Sequence, residues 1–527
     1  MKNRDNKTFE KRKKNEILIS NIKKAIDEYN IISFDIFDTL LIRPYSKPTD
    51  LFMHIEKLNN ATGFKDERMK AYKRSLKKNL KKKKEEVTID DIYNIIPSRY
   101  KWLKKKEITL EYNVLRARPL LKEIYDYAYQ KNKKIIIISD MYLSTDFLFN
   151  VLKKCGYKNF DKIFVSSKYK KTKRKGSLYK QALIELDASA NDILHIGDNY
   201  FSDIKKARKL GINAFYIPKS IENLFIEDKR IETFYEKYKN DIGASIMLGV
   251  LAPHIETFYN NYWFEYGYKY VGPIIFGFMQ WLNDELNNDN IKNALFIGRA
   301  GYTLEKVFNI IKTSDIQTYY IYLPRKIAVQ CFKIKNKHSN KVKMQYLKYL
   351  KKFKLHEINN IAMIDELTTN WTAQKALYSL FPKKFIKGYY FFTIKNSTLN
   401  YKSFKKTLQK DDGIHVELTE LFMTAPTPPI EAIRNGKPIF KKNINPNESI
   451  RIKLYPELSN GVLKFTEDFL IYFNKLKSYF TYEMLMDWLD IFSKTPSEIE
   501  KYMFYNIQVA RDYNHDKFRR LFSKWYS

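Results

Sequence analysis

The sequence IISFDIFDTL, residues 31–40, is a short apolar run that ends in acid. Its first four residues predict a buried strand, which stops at Asp35 and turns at once. A carboxylate in this position lies at the carboxyl edge of a sheet, where open α/β folds place their chemistry. Because an aspartate at a strand end is also a common cap or turn residue, the interpretation depends on the motifs that follow.

Three further segments complete a set of polar strand ends and loops. Residues 134–143 read KIIIISDMYL, in which four isoleucines predict a strand buried on both faces that ends at a hydroxyl. Residues 172–176 read TKRKG, a basic loop before a helical stretch. Residues 193–199 read ILHIGDN, a strand that ends at Asp198, and Asp203 follows five residues later. The chain therefore presents a carboxylate, a hydroxyl, a lysine and paired carboxylates in that order.

This ordered set resembles the four motifs of the haloacid dehalogenase superfamily of hydrolases and phosphatases, over roughly residues 30–220. The resemblance implies a Rossmann-like parallel sheet with a phosphoryl-transfer site at its edge. There Asp35 would be the nucleophile that forms a covalent aspartyl intermediate, Ser139 would donate to a phosphoryl oxygen, and Lys173 would neutralise another. Lys173 is favoured over Lys175 because the resembling proteins place this lysine three residues before a glycine.

The resemblance also implies a Mg²⁺ ion, which prefers hard oxygen ligands and screens the nucleophile from the phosphate. The expected metal ligands are Asp35, the carbonyl of Phe37, Asp198 and Asp203. The residues expected to bind the substrate are Thr39, Arg43 and Lys175.

Phe37 departs from the phosphatase pattern. Most phosphatases of this superfamily carry a second aspartate two residues after the nucleophile, as general acid and base, whereas an aromatic residue there is more like the dehalogenase branch. Protonating a leaving alkoxide contributes roughly 10²–10⁴-fold to the rate. Asp38, where a glycine is usual, is the candidate substitute acid, and a group from the cap is the alternative.

A helical cap is predicted over residues 46–118, between the first two motifs, where this superfamily inserts one. Residues 51–58 carry an apolar stripe at helical spacing, and Thr88 with Asp91 indicates a helix N-terminal cap. Such a cap would exclude water and select the substrate. Its lysine runs are typical of solvated helix faces; the alternative is a surface for anionic glycans, phosphates or lipid headgroups.

The second half of the chain repeats a strand–turn–helix pattern. Residues 294–302 (ALFIGRAGY) and 361–369 (IAMIDELTT) each predict a strand, a turn and a helix, and a third strand is expected at 388–393. This repetition indicates a second α/β sheet. Its strand ends would carry a second candidate site composed of Arg299, Asp365, Thr368, Thr369 and Thr372.

The full order of motifs resembles a group of bacterial proteins from surface-polysaccharide gene clusters. These pair a hydrolase with FDxFDTL and SDMYL signatures with an uncharacterised C-terminal domain. An acid that is usual before Gly301 is Ala300 here, and a glycine usual near Asn370 is absent. The strand end at 365–372 also looks somewhat like the ribose-phosphate loop of phosphoribosyltransferases without its glycine; a structural turn is the alternative.

The length of 527 residues predicts two to four domains, at ~100–200 residues each. The expected divisions are a basic N-terminal segment (1–29), the hydrolase domain (30–220), a linker (221–240), a second α/β domain (241–455) and a helical C-terminal region (456–527). The net charge of +36 accompanies abundant Tyr, Phe, Ile and Asn. We attribute it to compositional bias, and no nucleic-acid partner is expected.

Two cysteines, no signal segment and apolar stretches shorter than the ~20 residues of a membrane span favour a cytoplasmic protein. Its basic surface would suit a peripheral position at the inner membrane. The leading hypothesis is a Mg²⁺-dependent hydrolase acting on a phosphorylated sugar or glycan intermediate in cell-surface polysaccharide biosynthesis. The alternatives are a non-catalytic scaffold that docks glycosyltransferases or membrane, and transferase chemistry in the second domain.

Overall fold

The structure is a computed structural model that describes residues 4–257, 261–332, 337–368, 370–393, 397–406, 413–473, 479–510 and 517–521. The chain divides into two compact units, Met1–Asn260 and Asn261–Ser527.

The first unit contains the following elements. Its helices are α1 (Arg4–Glu28), α2 (Asp50–Leu58), α3 (Phe64–Lys81), α4 (Ile89–Ile95), α5 (Leu103–Val114), α6 (Pro119–Gln130), α7 (Thr145–Lys154), α8 (Ser166–Tyr169), α9 (Ser177–Leu186), α10 (Lys206–Lys209), α11 (Ser220–Glu227), α12 (Lys229–Tyr238) and α13 (Ile242–His254). Its strands are β1 (Ile31–Phe34), β2 (Leu41–Ile42), β3 (Arg116–Ala117), β4 (Lys134–Ser139), β5 (Lys162–Val165), β6 (Ile193–Gly197) and β7 (Asn213–Tyr216).

A five-stranded parallel sheet in the order β5-β4-β1-β6-β7 forms the centre of the first unit. All four residues of β1 and the four isoleucines of β4 are buried, as expected for strands covered on both faces. The predicted Rossmann-like parallel sheet is therefore confirmed. The chain order reverses between β1 and β6, so a ligand crevice is expected at the carboxyl ends of these two strands.

The cap lies between β2 and β3, a short antiparallel pair that connects it to the sheet. It contains α2 to α5, and Thr88 forms the predicted capping box with Asp91 at the start of α4. A buried ion pair joins α3 to α5, because the Arg68 guanidinium donates to both carboxylate oxygens of Glu107, at 2.8 and 2.7 Å. The cap helices are thus tied to one another by a paired charge that water does not reach.

The boundary between the units differs from the predicted one. The expected linker over 221–240 instead contains α11 and α12, and α13 also lies in the first unit, although the second domain was expected from 241. Every residue of α13 is buried, which an apolar helix requires. Just beyond α13, the Glu256 carboxylate accepts from the fully buried guanidinium of Arg118 at 2.5 Å.

The second unit contains the following elements. Its helices are α14 (Tyr262–Tyr266), α15 (Gly272–Asn288), α16 (Gly301–Ile311), α17 (Arg325–Phe332), α18 (Lys337–Lys351), α19 (Thr372–Leu380), α20 (Gly413–Phe422), α21 (Pro446–Phe473), α22 (Tyr482–Ser493) and α23 (Glu498–Phe504). Its strands are β8 (Asn293–Gly298), β9 (Gln317–Tyr322), β10 (Asn360–Thr368), β11 (Phe385–Thr393), β12 (Tyr401–Lys406), β13 (Ile430–Arg434), β14 (Lys437–Phe440), β15 (Gln508–Ala510) and β16 (Phe518–Arg520).

The second unit is built on another five-stranded parallel sheet, in the order β12-β11-β10-β8-β9. This confirms the second α/β sheet, and here the chain order reverses between β8 and β10. The helical C-terminal region is also confirmed, although α21 begins at Pro446 rather than near 456, and β15 and β16 form a hairpin that was not predicted. None of the described helices combines the length and apolar character that a membrane span requires.

Candidate active site

Asp35 follows β1 directly, at the carboxyl edge of the first sheet. Its backbone N–H donates to the carbonyl of Ile196 at 3.0 Å, which continues the pairing of β1 with β6 to the last residue before the turn. The side chain is 9% exposed. Burial raises the pKa of Asp35, and the neighbouring Lys173 opposes this shift. The carboxylate is therefore held in a dry position next to a cation.

Lys173 lies between two carboxylates, with its Nζ 2.5 Å from Asp35 Oδ1 and 2.7 Å from Asp203 Oδ1. Asp140 shapes its loop, because the Asp140 carboxylate accepts the backbone N–H of Lys173 at 2.8 Å. Burial acts to lower the pKa of Lys173, but the charges of Asp203 and Asp35 outweigh burial and hold this pKa well above its usual value. Lys175, expected to bind substrate, has an exposed side chain.

Asp203 lies in a π-helical turn, Tyr200–Lys205, immediately after the end of β6. Its Oδ2 accepts the backbone N–H of Asn199 at 2.9 Å, and His195 Nε2 lies 3.6 Å from its Oδ1. Burial acts to raise the pKa of Asp203, but Lys173 and His195 outweigh it and hold the pKa below its usual value. A Cβ on Gly197 would lie 2.5 Å from Asp203 Oδ2, so this close approach requires a glycine.

Asp198 follows β6, on the other side of the crevice from Asp35. Its Oδ1 accepts a hydrogen bond from Thr39 at 3.2 Å, and Lys219 Nζ lies 3.5 Å from its Oδ2. Burial, together with the charges of Asp35 and Asp38, raises the pKa of Asp198 to about 8. Thr39, expected to bind substrate, thus contacts a predicted metal ligand through its hydroxyl.

The donor set at this edge fits a Mg²⁺ ion. Asp35, Asp198 and Asp203 each offer a carboxylate oxygen, and these atoms lie within 4.8 Å of one another. Three buried carboxylates carry more negative charge than Lys173 offsets; burial first, and then the charge of Asp35, raise the pKa of Asp198. Asp35, Asp198 and the carbonyl of Phe37 would hold the ion, whereas Asp203 also holds Lys173. The metal ligands stay predictions on this basis.

Ser139 ends β4, the strand adjacent to β1, and is buried. Because Phe34 pairs with Ile137 in parallel register, Ser139 and Asp35 are brought to the same edge of the sheet. A hydroxyl at this strand end suits the predicted contact with a phosphoryl oxygen.

Phe37 and Arg43 form an aromatic–cation pair beside the nucleophile. The Arg43 guanidinium lies 4.1 Å from the centroid of the Phe37 ring, and it also binds Glu111 of α5 at 2.6 Å. Arg43, expected to bind substrate, is therefore shared between the turn after β1 and the cap. The pairing orients the Phe37 ring at the position where phosphatases carry an acid.

Asp38 lies in the left-handed region, with φ of 56°, and its Oδ2 is 3.2 Å from Lys219 Nζ. Asp38, Arg43 and Lys219 line a cavity of about 220 Å³. Asp38, the predicted substitute acid, thus lines this cavity and contacts Lys219, which also contacts the Asp198 carboxylate.

Lys219 belongs to the site but is not among the residues predicted from the sequence. It comes three residues after β7 and contacts both Asp38 and Asp198. The signal that could have indicated Lys219 is that it follows β7, the fifth strand of the sheet. However, the sequence NAFY at 213–216 has mixed polarity and does not clearly predict a strand. His195, within β6, is fully buried and shares a hydrogen bond with Ser33 Oγ at 2.8 Å.

The candidate residues of the second half were brought together in part. Arg299, Asp365 and Thr372 line one cavity of the second unit. Thr369 lies outside the described residues, and only the backbone of Thr368, at the end of β10, is described.

A profile of haloacid dehalogenase-like hydrolases matches residues 15–217. The first unit therefore carries a haloacid dehalogenase-like hydrolase domain, within which all the residues of the candidate active site except Lys219 fall. A search of curated proteins returns no match.

Several solved structures are similar to somewhat more than a third of the chain. An L-2-haloacid dehalogenase from Xanthobacter autotrophicus is 16% identical, over 36% of this chain and 77% of that one, with a TM-score of 0.28. A defluorinating L-2-haloacid dehalogenase is 18% identical, over 37% of this chain and 83% of that one, with a TM-score of 0.29.

Proposed function

We propose that the first unit is a Mg²⁺-dependent hydrolase that removes a phosphoryl group from a phosphorylated sugar or glycan intermediate. The observation that carries this proposal is the contact of Lys173 with both Asp35 and Asp203, beside Asp198, at the crevice between β1 and β6. A buried nucleophile, an obligatory cation and converging hard oxygens are the parts that phosphoryl transfer needs.

The chain's own residues supply most of the chemistry. Asp35 attacks phosphorus with one carboxylate oxygen, the ester P–O bond breaks, and the alcohol oxygen leaves with the bonding electrons. Lys173 orients the Asp35 carboxylate and neutralises charge on the phosphoryl oxygens, and Ser139 donates a hydrogen bond to one of them. Water then attacks phosphorus of the aspartyl phosphate, which releases phosphate and regenerates Asp35.

Mg²⁺, when bound, would supply positive charge between the nucleophile and the phosphate. It would also remove the repulsion among Asp35, Asp198 and Asp203. This repulsion adds to burial in raising the pKa of Asp198.

The substrate class follows from the motif resemblance and from the walls of the site. The FDxFDTL and SDMYL signatures resemble those of hydrolases in surface-polysaccharide clusters, and the cap is rich in lysine. A cation-rich cap suits an anionic substrate. Glycosyltransferases of such a pathway, or an anionic membrane surface, are the partners we propose on the same resemblance.

Phosphate release by the Asp35→Asn variant tests the proposal. The purified chain is assayed with glucose 6-phosphate and p-nitrophenyl phosphate, in Mg²⁺ and in EDTA. We expect Asp35→Asn to abolish Mg²⁺-dependent release with little change in the thermal melt. The matched control is Asp192→Asn, an exposed position that precedes β6 at the opposite edge of the sheet. Undiminished release by Asp35→Asn would refute the nucleophile, and loss of folding would identify a structural carboxylate.

A second candidate function is displacement at carbon, as in dehalogenation. The observation that favours it is the Phe37 ring, held by Arg43 at the place of the phosphatase acid, with Lys173 supplying positive charge at the nucleophile. In this case Asp35 would attack carbon and a halide would leave without a proton. Halide release from 2-chloropropionate that persists in EDTA, with no phosphate release from either ester, would favour this function over the first.

A further inference from the structure

The second unit contains a cavity of about 540 Å³ at the carboxyl edge of its sheet. It is lined by residues that follow β8 and β9, such as Arg299 and Arg325, and by residues in and after the last part of β10, such as Asp365. The chain order reverses between β8 and β10, and open α/β sheets bind ligands at such a switch point. The volume falls within the range of roughly 300–1,000 Å³ that is usual for small-molecule sites.

One wall of the cavity carries buried carboxyl groups. Glu366, at the end of β10, is 8% exposed, and its Oε1 has no hydrogen-bond partner among the described residues. Asp365 Oδ1 accepts the backbone N–H of Glu366 at 2.9 Å. Burial raises the pKa of Asp365 to about 7, and burial together with Glu420 raises the pKa of Glu366 well above its usual value. An unsatisfied buried oxygen is costly, so this wall requires a hydrogen-bond donor.

The cavity lining also carries cations. The Arg299 side chain, which lines the cavity, is 30% exposed and binds Glu448 through one Nη at 2.5 Å. Arg325 and Lys326 are exposed at the first turn of α17. A helix N-terminus adds partial positive charge there, so this part of the lining suits an anionic group.

The carboxylates of this cavity do not form a metal cage. Within the part of the chain that the structure describes, three such ligands converge to within 4.8 Å at Asp35, Asp198 and Asp203, not here. Hydroxyl groups suit several separated carboxyl oxygens, because each hydroxyl can donate to one and accept from a neighbour.

We propose that this cavity is a binding site for a phosphorylated carbohydrate, with the sugar hydroxyls donating to Glu366 and Asp365 and the phosphate bound at Arg299, Arg325 and Lys326. The site is independent of the hydrolase activity proposed for the first unit, and it requires no chemistry at Asp35.

Calorimetric titration of the full chain with a sugar phosphate, with the sugar alone and with phosphate alone tests the carboxyl groups and the cations of the site separately. The probes are glucose 1-phosphate, ribose 5-phosphate, glucose and inorganic phosphate, in EDTA. Hydrogen exchange measured by mass spectrometry locates the binding: protection is expected in the segments that follow β8 and β10. Protection confined to residues 35–43 and 198–203 would place the ligand in the first unit and overturn this proposal without affecting the proposed hydrolase function.

Two variants separate the carboxyl groups from the cations. Glu366→Gln should weaken binding of glucose 1-phosphate and of glucose by about tenfold, the upper end of the loss expected for one hydrogen bond. Arg325→Gln, at an exposed position, should weaken the phosphorylated probes about tenfold and leave glucose unchanged. The control is Glu357→Gln, an exposed glutamate before the amino end of β10.

Each remaining outcome decides against the proposal. Inorganic phosphate binding as tightly as glucose 1-phosphate would identify an anion site without a carbohydrate wall. In a separate titration with Mg²⁺ and without EDTA, Mg²⁺ binding that Glu366→Gln removes would identify a cation site. The absence of protection after β8 and β10 with every probe at millimolar concentration would show that no sugar phosphate binds there.

Discussion

Replacing Lys173 by methionine should destabilise the first unit strongly and increase its response to Mg²⁺. The Lys173 side chain is 3% exposed and contacts Asp35 and Asp203, which are 9% and 1% exposed in their side chains. Removing one partner of a buried pair leaves uncompensated charge and typically costs about 3–5 kcal/mol. For a unit of this size, at roughly 2–4 °C per kcal/mol, the melting midpoint should fall by about 10 °C.

Differential scanning calorimetry of the full chain measures this change, with the first-unit transition assigned by its response to Mg²⁺. The matched control is Lys175→Met, which removes an exposed lysine from the same loop and should change the midpoint by less than about 1 °C. Adding Asp203→Asn to Lys173→Met should recover part of the loss, because the second change removes one of the carboxylates left without a cation.

Equal melting of Lys173→Met and Lys175→Met would refute the charge cluster as described. So would a double variant that is less stable than Lys173→Met alone, since that result would mean that Asp203 is not the carboxylate that Lys173 compensates.

Two further predictions concern the metal and the missing acid. Because the pKa of Asp198 is raised to about 8, its contribution to the stability of the metal-free protein is present below about pH 4 and is lost as pH rises through about 8, by about 2 kcal/mol between pH 6 and 8. The rise in melting midpoint that Mg²⁺ produces should therefore grow over this interval. An unchanged Mg²⁺ response in Asp198→Asn would contradict the ligand assignment. Phe37→Asp should raise phosphate release from glucose 6-phosphate by at least tenfold and leave p-nitrophenyl phosphate nearly unchanged, since only the poor leaving group needs a proton, whereas no effect of Asp38→Asn on either ester would show that Asp38 is not the substitute acid.

The parts of the fold that the sequence predicted are those with a local signal. β1, β4 and β6 are buried on both faces over most of their length, so they are mainly apolar and end abruptly at a polar side chain. The edge strands β5 and β7 have one exposed side, and their mixed composition resembles that of loops. The stretch 221–240 is charged on its surface, yet one face of α11 and of α12 packs in the first unit. The apolar periodicity of two such short helices is too weak a signal to exclude a linker.

The contacts of the site depend on the fold rather than on local sequence. Spacing before a glycine favoured Lys173 over Lys175, and the structure places the Lys173 ammonium on Asp35. In contrast, nothing in the sequence near Lys219 indicates that its ammonium contacts Asp38 and Asp198, residues 181 and 21 positions earlier in the printed sequence. Such long-range pairs arise because parallel strands bring distant segments to one edge.

The same topological rule applies to both sheets, with different electrostatic results. In the first unit the crevice between β1 and β6 holds three carboxylates around the buried ammonium of Lys173, a set suited to a metal and a phosphoryl group. In the second unit the cavity at the crevice between β8 and β10 is lined both by carboxyl groups and by cations. Charges of both signs in one cavity favour a ligand with two chemically different ends over a bare ion, because each end can then meet its own complement.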